Sequence, residues 1–189
     1  MSRLRATIVL TGFLLMTLPL MPVQWALLRI GSKPAQRRFP HWYHRQVCRL
    51  IGVRVHQHGS VAGGAGGVLL ISNHVSWLDI PVMSALAPLS FIAKREVGEW
   101  PFVGWLAKLQ RSVFVDRDKR SSVDEQMSAI RQRLADGDTV VLFAEGTTGD
   151  GNRTLPFNSS LFGAIGFKSN RLAVAAGKPH HLVLDGGAV

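Results

Sequence analysis

Cysteine is nearly absent: Cys48 is the only one in 189 residues, so neither an intrachain disulfide framework nor a cysteine-based metal cluster can form. A reducing, cytoplasm-facing environment fits that usage. Cys48 lies between Val47 and Arg49 in a predicted helix with no local motif, and reads as a small buried hydrophobe rather than a nucleophile. Acidic side chains are also scarce. Twelve Asp and Glu stand against 22 Lys and Arg, for a formal net charge of +10 and a pI near 11.0. An anionic partner is implied, and nucleic acid, anionic lipid headgroups and an acidic carrier protein all qualify. Hydrophobic residues nevertheless make up 47% and the mean hydropathy is +0.15, which points to a membrane surface before nucleic acid. No nucleic-acid-binding motif, internal repeat or low-complexity tract accompanies the charge. The length suits one domain with a real core plus an appendage.

Charge is missing altogether from Ala6 to Leu28, a run long enough as a helix to cross a hydrocarbon layer of ~30 Å. It exceeds the apolar region of a cleaved signal peptide and no small-x-small site follows, so an uncleaved anchor is predicted. Pro19 and Pro22 remove backbone donors and predict a helix broken in its second half, as in a hairpin dipping into one leaflet. Arg3 and Arg5 before the run and Arg29, Lys33, Arg37 and Arg38 after it leave the positive-inside rule undecided. His41, Trp42, Tyr43, His44, Arg45 and Arg49 suit either an interfacial layer or an ordinary amphipathic surface helix. The tract from Val61 to Gly67 is a flexible turn, lacking the Lys of a phosphate loop and the spacing of a dinucleotide loop.

Beyond it, short apolar runs alternate with helical patterns, the mark of an α/β domain with a central, mostly parallel or mixed sheet flanked by helices. Predicted strands are Val53 to His58, Val68 to Ile71, Ser90 to Ala93, Ser112 to Val115 and Thr139 to Phe143. A helix is expected from Leu78 to Ala87, starting near Pro81. Another carries Val123, Met127, Ile130 and Leu134 at helical spacing and stops at Gly137. The chain thus divides into a membrane anchor over 1–38, an interfacial helix, strand and turn over 39–66, a catalytic domain over 67–165 and an atypical tail over 166–189.

Polar residues gather after three of the apolar strands, where open α/β sheets place their ligands. His74 is followed by Asp79 on the loop and first helical turn after a strand. A carboxylate so placed can fix the imidazole tautomer, leaving the other ring nitrogen to take a proton from a hydroxyl. By itself this spacing also describes a structural histidine. Arg117 offers a fork for phosphate or carboxylate oxygens, or an ion pair with Asp116 or Asp118. Glu145 either orients Arg117 or a backbone donor, or is a solvated carboxylate at a strand end. Gly146 would allow close backbone approach. No cluster has metal-ligand spacing, and His180-His181 reads as an exposed pair.

Asn73-His74-x4-Asp79, then Ser112 to Arg117, then Phe143-Ala144-Glu145-Gly146-Thr147 resemble, in order and spacing, the first three blocks of the glycerolipid acyltransferase family, which includes bacterial 1-acylglycerol-3-phosphate acyltransferases. The resemblance runs from Val68 to Phe162, about half the chain. It implies a membrane-bound O-acyltransferase of lipid biosynthesis at a bacterial inner membrane, its site facing the cytoplasm. His74 would be the base and Asp79 its orienter, with acyl-ACP or acyl-CoA as co-substrate and a lysolipid as acceptor. No acyl-enzyme and no metal or other cofactor are implied. Asn73, Arg117, Glu145, Gly146 and Thr147 would bind the acceptor.

Two departures qualify this. The family's third block usually reads Phe-Pro-Glu-Gly-Thr-Arg, whereas here Ala144 replaces the Pro and Thr148 the Arg, removing a phosphate ligand. The following Gly149 to Arg153, leading into Leu155 to Ser160, looks like the branch that acylates lyso-ornithine lipids, where Asp150 would pair with the acceptor's amine. Lysophosphatidate and lyso-ornithine lipid both stay open as acceptors. After Ile165 the expected further strand and helices give way to an aperiodic tail in which only Leu182 to Leu184 resembles a strand; truncation or a frame shift after about Ala164 is the expectation. A catalytically silent protein that binds anionic membranes is the competing reading.

Overall fold

The computed structural model describes residues 3–58, 67–116, 123–149, 155–156 and 172–175. Arg117, Asp118, residues 61–66 of the glycine-rich turn, Asp150 to Arg153, the segment after Ile165 other than 172–175, and His180-His181 lie outside the described residues. The chain forms two compact units, one containing 3–58 and 80–88, the other 67–79 and the described residues from 89 to 175.

The first unit holds α1 (Arg3–Ile30) and α2 (Lys33–Ile51). The sequence predicted a break at Pro19 and Pro22, but α1 runs through both. Each proline costs the helix one N–H donor, whereas unwinding the turn around it would give up several main-chain bonds at once. The bend comes instead at Gly31-Ser32, where the Gly31 N–H closes on Leu27 O and Pro34 opens the next helix. The boundary expected at residue 38 therefore falls inside α2. Gly52, at φ 78°, ends α2 by turning its N–H back to Arg49 O, with Val53 N–H on Cys48 O.

The packing of α1 inverts that of a soluble helix. Its buried side chains are polar: Thr17 Oγ1 lies 2.8 Å from Tyr43 Oη, and Gln24 Nε2 donates to Gln36 O at 3.2 Å. Leu10, Leu15, Leu18 and Ile30 face outward. Among the described residues α1 is the one helix long and apolar enough to cross a membrane. Cys48 is buried on α2, as its neighbours predicted.

The second unit is built on a five-stranded sheet ordered β3-β2-β4-β1-β5, every pairing parallel: β1 (Val68–Ser72), β2 (Leu89–Lys94), β3 (Val113–Val115), β4 (Thr139–Phe143) and β5 (Leu172–Ala175). Because strand side chains alternate, Leu69, Ile71, Val140 and Leu142 share one face, where Met127, Ile130 and Leu134 of the helix Val123–Ala135 pack on them. Phe91 and Phe143 stack on the opposite face, centroids 5.9 Å apart. Gly67 passes so close to Leu134 that a Cβ there would sit 2.0 Å from its carbonyl oxygen. Of the strands expected, Val53 to His58 does not form. Its alternation offers only two half-buried valines, and His56, Gln57 and His58 stay exposed, too little apolar surface to hold a strand.

Candidate active site

Parallel register sets the site. Ser72 pairs with Phe143, so the chain leaves adjacent β1 and β4 side by side, and Ala144 N–H extends the ladder to Ser72 O. His74 and Glu145, 71 residues apart, emerge together at the carboxyl ends of the strands.

After β1 the chain makes a tight turn whose donors converge on one oxygen. Asp79 Oδ2 accepts from His74 Nδ1 at 2.7 Å, from Val75 N–H at 2.8 Å and from Ser76 N–H at 3.0 Å. A carboxylate only accepts, so Nδ1 supplies the hydrogen of that contact, and in the neutral form of the ring the lone pair lies on Nε2. Asp79 also opens the helix Asp79–Leu86, where a negative charge is favoured by the unpaired N–H groups of the first turn. The two side chains are 19% and 9% exposed, so the ring has some access while its anchor is nearly dry. Phe143 lies under the imidazole, centroids 4.0 Å apart and planes within 17°.

Glu145 ties the turn to the far loop. Its Oε2 accepts the His74 N–H and its Oε1 the Leu155 N–H, both at 2.7 Å. Gly149 N–H donates to His74 O at 2.7 Å, so both main-chain groups of His74 are held by the segment after β4. Gly146, at φ 72°, makes the return turn with its N–H on Phe143 O. Of the residues expected from sequence, His74, Asp79, Asn73, Glu145, Gly146 and Thr147 sit on these two loops, with Thr147 and Thr148 exposed. Arg117 lies beyond the described end of the loop after β3, where Asp116 meets Arg95 at 3.3 Å. Sequence reasoning missed the role of Phe143 beneath the ring. The residue was in view as the last of an apolar run, but only the register places it under His74.

An imidazole with one nitrogen fixed by a carboxylate, at the carboxyl end of a parallel sheet, can move a proton at a bound hydroxyl or carbonyl, and that is the class of chemistry open to this site. Comparison with known proteins narrows the class. The family model described as Acyltransferase matches residues 52–166, and the chain belongs to this family. It is 47% identical over 161 residues to a lyso-ornithine lipid O-acyltransferase of Brucella abortus, covering 85% of this chain and 60% of that protein. A protein of the same description from Rhizobium meliloti is 48% identical over 159 residues, with 83% and 54% covered. A 1-acyl-sn-glycerol-3-phosphate acyltransferase of Neisseria gonorrhoeae is 43% identical over 110 residues, with 58% and 43% covered. The chain thus spans little more than half the length of the first two. The crystal structure of the 1-acyl-sn-glycerophosphate acyltransferase PlsC from Thermotoga maritima shares the fold, with a TM-score of 0.64 at 22% identity over 86% of this chain and 70% of that one.

Proposed function

We propose that this chain transfers a fatty acyl group from an acyl thioester, carried by acyl carrier protein or CoA, to the hydroxyl of a lysolipid, and that the acceptor is a lyso-ornithine lipid. The 2.7 Å contact between His74 Nδ1 and Asp79 Oδ2 carries the reading, because it leaves Nε2 as the base. Nε2 takes the proton as the acceptor oxygen attacks the thioester carbonyl. The tetrahedral intermediate collapses, the C–S bond breaks, and the imidazolium returns its proton to the departing sulfur. The products are an ester and a free thiol, and His74 ends neutral. Asp79 holds the ring and stabilises its charged form during the step.

Support for the acceptor comes from the descriptions of the Brucella and Rhizobium relatives and from Thr148, an exposed neutral side chain where a phosphate-binding Arg is usual in the family. Asn73, Gly146 and Thr147 border the same loops and are assigned to the acceptor's head, together with Arg117. The inverted packing of α1 supports attachment to a membrane, which we place at the bacterial inner membrane with the site on the cytoplasmic side.

Purified protein offered both acceptors and both donors should yield ornithine lipid by mass spectrometry. His74→Ala should lower the rate by about 10²–10⁴-fold, the usual contribution of a general base. Acylation of lysophosphatidate alone would overturn the acceptor. Undiminished turnover by His74→Ala would overturn the base, and no turnover with either acceptor would favour a silent membrane binder.

A further inference from the structure

Tryptophan is usually among the better-covered side chains of a folded protein, yet all five here, Trp25, Trp42, Trp77, Trp100 and Trp105, are 46–67% exposed. Two belong to the helical unit. The other three belong to the unit that carries His74 and Asp79. There, Trp100 ends the 3-10 turn Arg95–Glu99 and Trp105 rides on the short helix Val103–Leu109, with exposed Val103 between them. Trp77 lies in the turn between His74 and Asp79.

The segment bearing Trp100 and Trp105 is shaped in advance. Phe102 adopts φ 62°, ψ −55°, and Val103 N–H closes on Pro101 O at 2.6 Å. Such a γ-turn at a non-glycine residue costs about 1–3 kcal/mol and persists only where its surroundings hold it. Gly104 supplies the hold: a Cβ there would meet Gly98 O at 2.5 Å, so the 3-10 turn and the helix are packed backbone to backbone. The turn and this close backbone approach lie within the segment that leaves Trp100, Val103 and Trp105 exposed.

We propose that the catalytic unit has its own membrane contact, separate from α1, in which Trp77, Trp100 and Trp105 insert at the headgroup level of an anionic bilayer. Indole, with a large apolar body and one N–H donor, partitions to that layer. From Trp100 to Ala107 there is no charge, and exposed Lys94 and Lys108 lie beyond its two ends. Glu96 and Glu99 offset much of the local positive charge, so aromatic insertion supplies the contact and the chain's +10 charge supplies the preference for anionic lipid. Trp77 shares the turn between His74 and Asp79, so its insertion brings that turn to the bilayer surface, a consequence for the acceptor hydroxyl that rests on the function proposed above.

The test uses the full chain on vesicles of phosphatidylcholine and phosphatidylglycerol, as variants keeping one tryptophan with the other four changed to Phe. The variants retaining Trp77, Trp100 or Trp105 should each lose most of their emission when the lipids carry bromine high on the acyl chain, and less when bromine is near its end. Emission untouched by bromolipid overturns the proposal: quenching by aqueous iodide then marks a solvent-facing patch, and quenching by neither marks cover by protein. The variant retaining Trp25 separates this from the membrane reading as a whole, since its quenching alone leaves α1 in the membrane and the catalytic unit out of it. Should a single-tryptophan chain not fold, Trp100→Phe with Trp105→Phe in the otherwise intact protein gives the answer by difference. A lower lipid-quenchable share than wild type supports the contact, and an equal share overturns it.

Discussion

At His74 four groups act on one residue: Asp79 on Nδ1, Phe143 on the ring face, Glu145 on the N–H and Gly149 on the carbonyl. The ring face and the N–H can be tested apart. Phe143→Leu keeps the apolar volume but removes the stack, and aromatic pairs are worth about 0.5–1.5 kcal/mol beyond area. Steady-state kinetics should therefore show kcat lower by about 2- to 10-fold with KM for the thioester unchanged. Glu145→Gln keeps one acceptor oxygen but turns an amide NH₂ toward a main-chain donor. With hydrogen bonds to charged groups worth about 1.5–3 kcal/mol, kcat should fall about 10- to 100-fold. Amide exchange at His74 should quicken in the same variant; unchanged exchange would show that another group holds the turn.

Between the helix Val123–Ala135 and β4, the elements are locked by a buried carboxylate. Asp138, 2% exposed, meets Arg111 at 3.0 Å and Arg133 at 3.2 Å, and Arg133 also reaches Arg111 O. Asp138→Asn removes the counter-charge from two guanidinium groups, one of them buried, and urea unfolding should report a loss of about 3–5 kcal/mol. In α2, burial pushes His44 from 6.5 down to about 4, offset in part by its hydrogen bond with Pro40 O and reinforced by His41. The neutral ring is the native form, so its contribution to stability is full above pH 6.5 and is lost as pH falls toward 4. Thermal unfolding followed over that window should drop more steeply for wild type than for His44→Gln. Most elements were legible because their signals were local: the 3.6-residue spacing of Met127, Ile130 and Leu134, and the β-branched run ending at Phe143. Val53 to His58 was misread because alternation reports a compatible face, not whether a sheet has room for it. The break at Pro19 and Pro22 was misread because each proline removes one donor, whereas a break would give up the bonds of the whole turn.

Across the whole molecule, the candidate site was legible as residue types and spacing, and its assembly was not. His74 with Asp79 is a five-residue separation that a sequence displays. The pairing of Ser72 with Phe143 follows from strand order, which no single segment encodes. The polar seam between α1 and α2, Thr17 with Tyr43 and Gln24 with Gln36 O, was hidden for the same reason. It leads to a prediction at this scale: the protein should stay with the membrane pellet through an alkaline carbonate wash and leave it only with detergent. The bond from Glu145 to the His74 N–H also has a consequence in time. A ribosome making ~5–20 residues per second needs roughly 4–14 s to travel from one partner to the other. Through that interval the nascent chain carries its histidine and aspartate without the brace that orders their turn. The braced turn is complete only when the segment through Leu155, whose N–H takes the other oxygen of Glu145, has emerged as well.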